Sequence, residues 1–387
     1  MRLHYIILIA LPWCILLDIH SQNKVTSIVL DEKMIPIPYA TVYNNNTHRG
    51  AITNEEGRFT LIAQPSDVII IRCLGYHEYK NTAEKLQNSG RVVLKEAFYE
   101  LNEVIVTPKK DDAKSIIKKF HANIRKNYPT KATLINGVYK EYSLIGNEYC
   151  NFSQYDIDLM LESIASRSRP DYHIKVHDHT SFRHSNFTND ENEICRMESD
   201  AYFMKLWLYW CSFLWDFKKY QYWYAGFTTY NESEIAIIKF SPKHPKINIR
   251  RYTGVMYIDL KTYALVFVNS EIMQPYDMDF IFYKGLWQKT KKSEVKIMFE
   301  FSDGFYYPAF MINKATMSLN VSKGILTVDY IFNFFTKQID FDPMSFVSDS
   351  IPLEKFNING VLERSKDYKS DFILETEKEK QFFNYLK

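Results

Sequence analysis

The 387-residue sequence lacks the short motifs that identify the common enzyme classes. It contains no G-x-S-x-G, no P-loop and no G-x-G-x-x-G, so a serine hydrolase of that type and a nucleotide-binding protein have no support. H-E-x-x-H, the spacing that places two zinc ligands on one helix face, is also absent. Any catalytic activity would therefore have to come from residues that no motif marks.

Cysteine is scarce, and neither sign of charge is in excess. The chain has 5 cysteines and no C-x-x-C pair, which excludes a zinc ribbon. For Cys73, Cys150, Cys195 and Cys211 we expect buried free thiols; an oxidised Cys195–Cys211 pair is an alternative, and the sequence does not choose among the pairings. The net charge is +2 and no basic block is interleaved with aromatic residues, which argues against nucleic-acid binding.

The N-terminus has the pattern of a secretory signal peptide. Arg2 precedes an apolar run over residues 5–17, and residues 20–22 are small or polar. The run is short for a membrane span, and no stop-transfer pattern follows it. We predict a signal peptide over residues 1–21 with cleavage after Ser21, and a mature, exported chain without a transmembrane span.

The chain is rich in aromatic residues and poor in glycine. The chain has 28 Tyr and 27 Phe against 12 Gly, and Tyr and Phe favour half-buried pleated surfaces. Between residues 22 and 98, strand-like runs alternate with turn residues at short intervals, which predicts an antiparallel β-sandwich. Residues 50–61, GAITNEEGRFTL, predict a tight hairpin at one corner, because Asn54 can bond its own turn and Gly57 can adopt a positive φ.

Residues 22–98 also carry the motifs of a known family. The matching residues are Pro36, Pro38, Ala40, Val42, Gly50, Thr53, Asn54, Gly57, Phe59, Gly75 and Tyr76. In these positions the segment resembles the carboxypeptidase-regulatory-like domain. The resemblance implies a seven-stranded transthyretin-like or Ig-like sandwich that accompanies other modules and has no catalysis of its own. Residues 101–107, LNEVIVT, resemble the stretch immediately C-terminal to this domain in envelope proteins such as TonB-dependent transporters.

The periodicity changes from strand to helix after residue 108. Four apolar residues recur at helical spacing: Ile116, Ile117, Phe120 and Ile124. Asp111 or Asp112 can cap the start and Pro129 can end the helix, so residues 99–128 predict a linker and an amphipathic helix. Its basic face could lie on a membrane, but a helix docked by its apolar stripe is the simpler interpretation.

Long strand-like runs fill residues 129–345 and join through hairpin-like breaks. A meander of this kind curves as it twists, which predicts an antiparallel half-barrel sheet with packed helices. The run over residues 251–272 resembles the strand pair of envelope half-barrels related to the bacterial lipoprotein carriers. That resemblance rests on Gly254, Tyr257, Ile258, Asp259, Thr262, Ala264 and Leu265. The whole chain is therefore predicted to be mainly β, with a partly helical tail over residues 346–387.

Residues 201–217 form an aromatic segment with helical periodicity. Phe203, Trp207, Trp210, Leu214 and Phe217 share one helix face. The helix could lie at a membrane interface, but we expect it to cover an apolar face of the curved sheet. We predict a ligand-binding cavity between this helix and the sheet. The sheet residues expected to line it are Trp223, Phe227, Tyr257, Phe267, Phe299 and Phe332.

Two polar clusters offer alternative chemistry. Asp156, Asp158 and Glu162 are predicted on one side of a strand, as a solvated face or, alternatively, as a proton-sharing or cation-binding group. His173, His177, His179 and His184 crowd one segment, and His177 and His179 share a face if the chain is extended. We expect loop histidines there, and predict neither a metal site nor a cofactor.

These observations predict an exported, non-catalytic protein of the Gram-negative envelope, either periplasmic or associated with the outer membrane. Its second domain is expected to bind an apolar ligand such as an acyl chain, or another envelope protein. One alternative is a hydrolase or metal-dependent enzyme that uses the aromatic concavity. Another is a surface-polysaccharide-binding protein, because planar Tyr and Trp rings stack on sugars.

Overall fold

The computed structural model describes residues 24–47, 49–99, 112–146, 148–165, 172–183, 211–216, 218–244, 251–274, 281–283, 286–321, 324–340, 351–352 and 372–385. The predicted signal peptide over residues 1–21 lies outside these ranges. Among the described residues, no helix combines the length and the apolar composition that a membrane span requires.

The N-terminal strands form a two-sheet sandwich. They are β1 (Lys24–Leu30), β2 (Thr41–Asn44), β3 (Gly50–Ile52), β4 (Arg58–Ile62), β5 (Val68–Arg72), β6 (Tyr79–Thr82) and β7 (Arg91–Val93). One sheet has the order β4-β1-β7 and the other β3-β2-β5-β6, with Val29, Phe59 and Ile71 buried between them. This confirms the predicted seven-stranded sandwich. Helix α1 (Ala83–Ser89), which the sequence did not suggest, connects β6 to β7.

The segment GAITNEEGRFTL is a corner between the two sheets. Its turn has the predicted chemistry: the Asn54 side chain accepts from the amides of Glu56 and Arg58, and Gly57 has a φ of 72°. However, β3 pairs with β2 and β4 pairs with β1, so the strands on either side of the turn belong to different sheets. The prediction of a paired hairpin is therefore wrong, while the prediction of a tight turn is confirmed.

The rest of the chain builds one large antiparallel sheet. Its strands are β8 (Phe98–Tyr99), β9 (Thr133–Ile145), β10 (Glu148–Leu161), β11 (Tyr172–Arg183), β12 (Tyr220–Tyr230), β13 (Ser233–Pro242), β14 (Tyr252–Asp259), β15 (Leu265–Ile272), β16 (Ile281–Tyr283), β17 (Leu286–Ser302), β18 (Phe305–Val321), β19 (Gly324–Asp340) and β20 (Ile351–Pro352). The order is β20-β11-β10-β9-β19-β18-β17-β15-β14-β13-β12-β8, and β16 pairs with β17. The sheet is curved and open, which confirms the predicted architecture.

Side chains alternate along each strand, so the registers identify two faces of the large sheet. One row runs across five strands through Tyr257, Phe267, Met298, Phe310 and Phe335. Tyr39 of the sandwich packs on the last two of these rings, and this side is called the sandwich face. The neighbouring row consists of Met256, Val268, Ile297, Met311 and Phe334. It belongs to the opposite side, called the helix face.

Helix α2 (Ala113–Asn127) packs on the helix face through its predicted stripe, which is buried. Asp112 caps the helix by accepting a hydrogen bond from the Ser115 amide at 2.6 Å. The next side chain, Tyr128, meets Phe299 edge-on at 5.6 Å and donates to the Leu265 carbonyl at 3.0 Å. The prediction of an amphipathic helix capped by an aspartate and docked through its apolar side is confirmed.

Two further helical pieces touch the sheet. Of the helix predicted over residues 201–217, the described part contains the short helix α3 (Ser212–Trp215), which packs on the helix face. Helix α4 (Glu377–Tyr385) belongs to the C-terminal segment, defined as residues 372–385. This segment lies between the sandwich and the sheet: Ile373 bridges to Ile52 in parallel, and Glu379 pairs with Lys140 at 3.0 Å.

Candidate ligand-binding site

The structure distributes the predicted ligand-binding residues over both faces of the sheet. Leu214, Phe299 and Phe332 are buried on the helix face. The registers place Trp223, Tyr257 and Phe267 on the sandwich face, and Phe227 is half-buried on β12. Phe203, Trp207, Trp210 and Phe217 lie outside the described residues. Because the sheet itself separates the two described groups, they do not line one common cavity.

Tyr257 and Phe267 line a cavity between the sandwich and the sheet, and it is called the interdomain cavity. It has a volume of about 240 Å³. Its lining residues are Pro38, Tyr39, Thr41, Arg72, Cys73 and Leu74 from the sandwich, and Tyr230, Tyr257, Phe267, Lys296, Met298 and Phe310 from the sheet. Tyr257 and Phe267 form an edge-to-face pair with ring centroids 5.6 Å apart. Most of the surface offered to a ligand is therefore aromatic or aliphatic.

Tyr39 closes the cavity in a conformation that costs free energy. Its φ is 60°, in the left-handed region that L-residues with large side chains rarely adopt. The sandwich holds it there: its amide donates to the Thr53 carbonyl at 3.0 Å, and its hydroxyl donates to Glu55 at 2.9 Å. The ring packs on Phe310 at 5.5 Å and on Phe335 at 6.0 Å. Backbone strain at this position thus serves to bring an aromatic ring onto the sheet.

The two cations that line the cavity are both in ion pairs. Arg72 Nε donates to Glu78 at 2.7 Å, and Lys296 Nζ lies 3.0 Å from Glu294. Both pairs are partly exposed to solvent, so each cation can exchange its carboxylate for another anion at modest cost. Arg72 and Lys296 are thus the charged residues at the edge of a cavity that is otherwise lined mainly by apolar side chains.

A thiol, that of Cys73, lines the cavity, and the Glu300 carboxyl lies next to the lining residue Tyr230. The hydroxyl of Tyr230 donates to Glu300 at 3.3 Å. Burial raises the pKa of the Glu300 carboxyl, while a hydrogen bond from Thr41 and the charge of Arg72 oppose that shift. Burial also raises the pKa of the Cys73 thiol to about 12, so the thiol is uncharged at neutral pH.

The predicted cavity on the helix face is small within the described residues. The space bounded by Cys211, Phe213, Tyr252, Val268, Ser270, Val295 and Ile297 has a volume of about 20 Å³. This is room for roughly one water molecule. Phe213 fills the region by stacking on Phe240 with ring centroids 4.0 Å apart. An acyl chain would not fit between α3 and the sheet in this arrangement.

The predicted carboxylates lie on a polar strand face, as the alternation suggested. Tyr155, Ile157, Leu159 and Leu161 are buried on the opposite side. Asp156 pairs with Lys337 at 2.8 Å, and Asp158 pairs with His177 at 2.7 Å, while Glu162 is exposed. Among the described residues, no group of three or more His, Cys, Asp or Glu side chains could hold a metal ion.

The histidines do not share a face as the extended chain would require. A β-bulge interrupts the register, since Asp156 pairs with Asp178 but Ile157 pairs with Val176. The extra residue is His177, which turns to the carboxylate side, while His179 is buried and stacks on Tyr155 at 6.0 Å. His184 lies outside the described residues.

The cysteines divide into two kinds. Cys211 is a buried free thiol and Cys73 is a partly buried one. Cys150 is disulfide-bonded, so the expectation of free thiols throughout is wrong. A Cys195–Cys211 pair is also excluded because Cys211 is free. Cys195 lies outside the described residues.

Sequence reasoning missed the sandwich side of the cavity. Tyr39 sits inside the run IPIPYATV, whose prolines and alternation indicated a strand without showing that one ring leaves the sandwich. Lys296 belongs to the run SEVKIMFE, where a charged residue between apolar ones was compatible with a solvated face. Both signals were local, whereas the cavity joins residues more than 200 positions apart.

Comparison with known proteins supports the assignment of the N-terminal domain. Residues 27–106 match the family model of the CarboxypepD_reg-like domain, as the motifs predicted. A curated relative, TonB-dependent receptor P39 of Formosa agariphila, is 26% identical over 89 residues. The match covers 23% of this chain and 9% of the receptor, so the chain spans less than a tenth of that relative's length.

Solved structures are similar to part of this chain only distantly. A LolA superfamily protein from Nitrosomonas europaea is 6% identical, covers 61% of this chain and 96% of its own, and has a TM-score of 0.24. A putative outer membrane lipoprotein-sorting protein domain from Vibrio parahaemolyticus is 9% identical, covers 65% and 100%, and has a TM-score of 0.32.

Proposed function

We propose that this chain is an exported, non-catalytic binding protein of the Gram-negative envelope that holds an apolar ligand in the interdomain cavity. The observation that carries the proposal is the space left between sandwich and sheet, where Tyr257 and Phe267 face Tyr39 and Leu74. Protein interiors normally fill such gaps, because close packing contributes to stability. An apolar space kept open at a junction of two domains is a common location for a ligand site.

The lining favours a slender, mainly apolar ligand with an anionic end. The volume lies near the lower limit of small-molecule pockets, which begin at about 300 Å³. Aromatic and aliphatic side chains suit the end of an acyl chain. Arg72 and Lys296 at the margin can attract a carboxylate or phosphate.

The polar groups are arranged for binding rather than for turnover. Arg72 and Lys296 are paired with glutamates, and Glu300 accepts from Tyr230. The raised pKa of Cys73 leaves a thiol that is a poor nucleophile. These features support a non-enzymatic function, which remains the proposal against the alternative of a hydrolase.

An envelope location is supported by the first 106 residues of the chain. The secretory pattern over residues 1–21 favours export, and the domain at residues 27–106 has a relative that is a TonB-dependent receptor. Another envelope protein could occupy the cavity with an apolar side chain, and the same test addresses that alternative.

Titration of the purified protein with a fluorescent fatty-acyl probe tests the proposal. Leu74→Trp places a large ring inside the cavity. We expect it to weaken probe binding about tenfold or more, because the ring fills space that the acyl chain would otherwise occupy. Trp223→Ala is the matched control: this side chain is on the same face but is 46% exposed and does not line the cavity.

The outcomes separate the two faces of the sheet. A double variant, Trp207→Ala with Trp210→Ala, tests the helix segment that the sequence predicts to cover the ligand. If that variant loses binding and Leu74→Trp does not, the ligand lies on the helix face and the interdomain cavity is not the site. If the unaltered protein shows no saturable binding, the lipid-binding function itself is refuted.

A further inference from the structure

The ends of three long strands of the large sheet extend beyond β9 on one side and beyond β15 on the other, and the short strand β16 pairs with the end of β17, where Phe282 lies opposite Trp287. Strands β17, β18 and β19 each have 17 residues. The pairing of β19 with β9 stops at Val328 and Ile145, and the pairing of β17 with β15 stops at Glu294 and Glu271. The four residues of β19 before Val328 therefore extend roughly 13 Å past the end of β9. The strand tip is defined as residues 287–292, 318–321 and 324–327.

The strand tip exposes two large apolar side chains in one row. Trp287 is 51% exposed and Ile325 is 68% exposed. Trp287 lies opposite Asn320, which in turn lies opposite Ile325, so all three belong to the same face. In the next row, Gln288 and Leu319 are buried. The exposed face of the tip thus presents a Trp and an Ile side chain on either side of the exposed Asn320.

Positive charge is concentrated on the β17 side of this row, and the carboxylates of Glu271, Glu294 and Asp329 lie outside the tip, in a pocket that Lys292 also lines. Lys289, Lys291 and Lys292 follow Trp287 within five residues. The strand tip contains no Asp or Glu in any of its three segments. Lys291 and Lys292 are exposed, and Lys289 is partly exposed. This local excess contrasts with the balanced charge of the chain as a whole, which has a net charge of +2.

We infer that the strand tip is a docking surface for an anionic lipid bilayer. A Trp ring favours the level of the lipid headgroups, and an adjacent Ile side chain can enter the acyl boundary. Lysines beside such residues are attracted to the negative surface potential of anionic lipids. The combination of one aromatic, one aliphatic and three basic residues fits a lipid surface better than a protein partner, which would have to supply matching carboxylates. The inference does not depend on the interdomain cavity.

Co-sedimentation with lipid vesicles tests the inference on the full protein. Vesicles of phosphatidylcholine and phosphatidylglycerol in equal parts should bind the protein, and vesicles of phosphatidylcholine alone should bind it much less. Added salt should release it, because the lysine contribution is screened. Lys291→Gln with Lys292→Gln should weaken binding by about fivefold for each lysine removed. Trp287→Ser with Ile325→Ser should weaken it by about tenfold or more.

Matched controls address folding and specificity. Phe301→Ser removes an aromatic side chain that is 54% exposed at the other end of β17, and it should leave vesicle binding unchanged. All of these positions are exposed, so the urea midpoints of the variants should match that of the unaltered protein. Failure of the unaltered protein to sediment with anionic vesicles at low salt overturns the inference. So does an equal loss in Phe301→Ser, or dissociation of a protein oligomer by Trp287→Ser with Ile325→Ser.

Discussion

The two faces of the large sheet are built from alternate residues of the same strands, yet they differ in how completely they are packed. On the helix face, Met256, Val268 and Ile297 are each at most 2% exposed. On the sandwich face, their neighbours Tyr257 and Phe267 are half-buried and border an open cavity. One face is a hydrophobic core covered by α2 and α3, and the other is a junction with the sandwich.

The distribution of charge follows the same division. Ion pairs cross the junction on the sandwich face, where Lys314 meets Glu55 at 3.3 Å and Lys140 meets Glu379 at 3.0 Å. Such pairs orient two surfaces but contribute less to stability than apolar packing does. A junction of this kind can keep a cavity open, whereas a close-packed core cannot. We therefore expect substitutions on the helix face to affect stability and those on the sandwich face to affect binding.

The largest expected effect compares one phenylalanine on each face. Phe299→Ala removes a fully buried ring against Tyr128 on the helix face and should lower the free energy of unfolding by about 3–5 kcal/mol. Phe267→Ala removes a half-buried ring on the sandwich face and should cost about 1 kcal/mol. Urea unfolding monitored by circular dichroism measures both. Equal losses would show that the two faces do not differ in the way described.

The second prediction concerns the C-terminal segment, which is attached through a buried ion pair. Lys140 and Glu379 are 4% and 5% exposed, and Glu379 also accepts from the Thr376 amide at 2.7 Å in a capping box. Lys140→Met leaves a buried carboxylate without its cation and should cost about 3 kcal/mol. Hydrogen exchange in residues 372–385 should rise accordingly.

A double substitution distinguishes the ion pair from simple packing. Lys140→Met combined with Glu379→Gln removes both charges and keeps an acceptor for the Thr376 amide. Its loss of stability should be smaller than that of Lys140→Met alone, because no uncompensated charge remains buried. If the losses of stability in Lys140→Met and in Glu379→Gln simply add in the double variant, the two charges do not interact across the junction.

The third prediction uses the strained backbone of Tyr39. Tyr39→Ala and Tyr39→Gly both remove the ring from Phe310, but only glycine adopts the φ of 60° without steric cost. Tyr39→Gly should therefore be more stable than Tyr39→Ala by about 1 kcal/mol. Both should bind an acyl probe more weakly than the unaltered protein. Equal stability of the two variants would argue that the position is not strained.

Local sequence patterns predicted most of the elements but not helix α1, and they did not show that the predicted cavity residues lie on two different faces of the sheet. Asp112 with the stripe on α2 predicted a docked helix, and the alternation around Asp156 predicted which side of β10 is buried. These signals depend on neighbours within a few residues, where periodicity and capping act. The sandwich and the curved sheet were predicted with the help of two resemblances, one to the carboxypeptidase-regulatory-like domain and one to the envelope half-barrels.

The junction could not be predicted because its contacts are distant in sequence. Nothing near Tyr257 indicates that it faces the same side as Tyr39, since a single bulge can reverse the facing of every residue beyond it. The bulge at His177 shows this effect directly, as it separates two histidines that simple alternation placed together. The pairing of Glu379 with Lys140 likewise joins residues 239 positions apart.

The smallest expected effect is the pH dependence of the junction, which arises from Glu300. Burial raises the pKa of this carboxyl in the folded protein above its value in the unfolded chain. Because the pKa of Glu300 is higher in the folded than in the unfolded protein, the folded state is favoured when the carboxyl is protonated. This contribution to stability is fully present below the pKa of the unfolded chain, about 4, and is lost as the pH rises through the pKa of the folded protein. Glu300→Gln mimics the protonated form and should remove this part of the dependence. The difference in urea midpoint between variant and unaltered protein should therefore grow in favour of the variant from about pH 4 to neutral pH. A constant difference over that range would show that Glu300 is ionised with an ordinary pKa, and that the junction around Tyr230 is better solvated than its hydrogen bonds indicate.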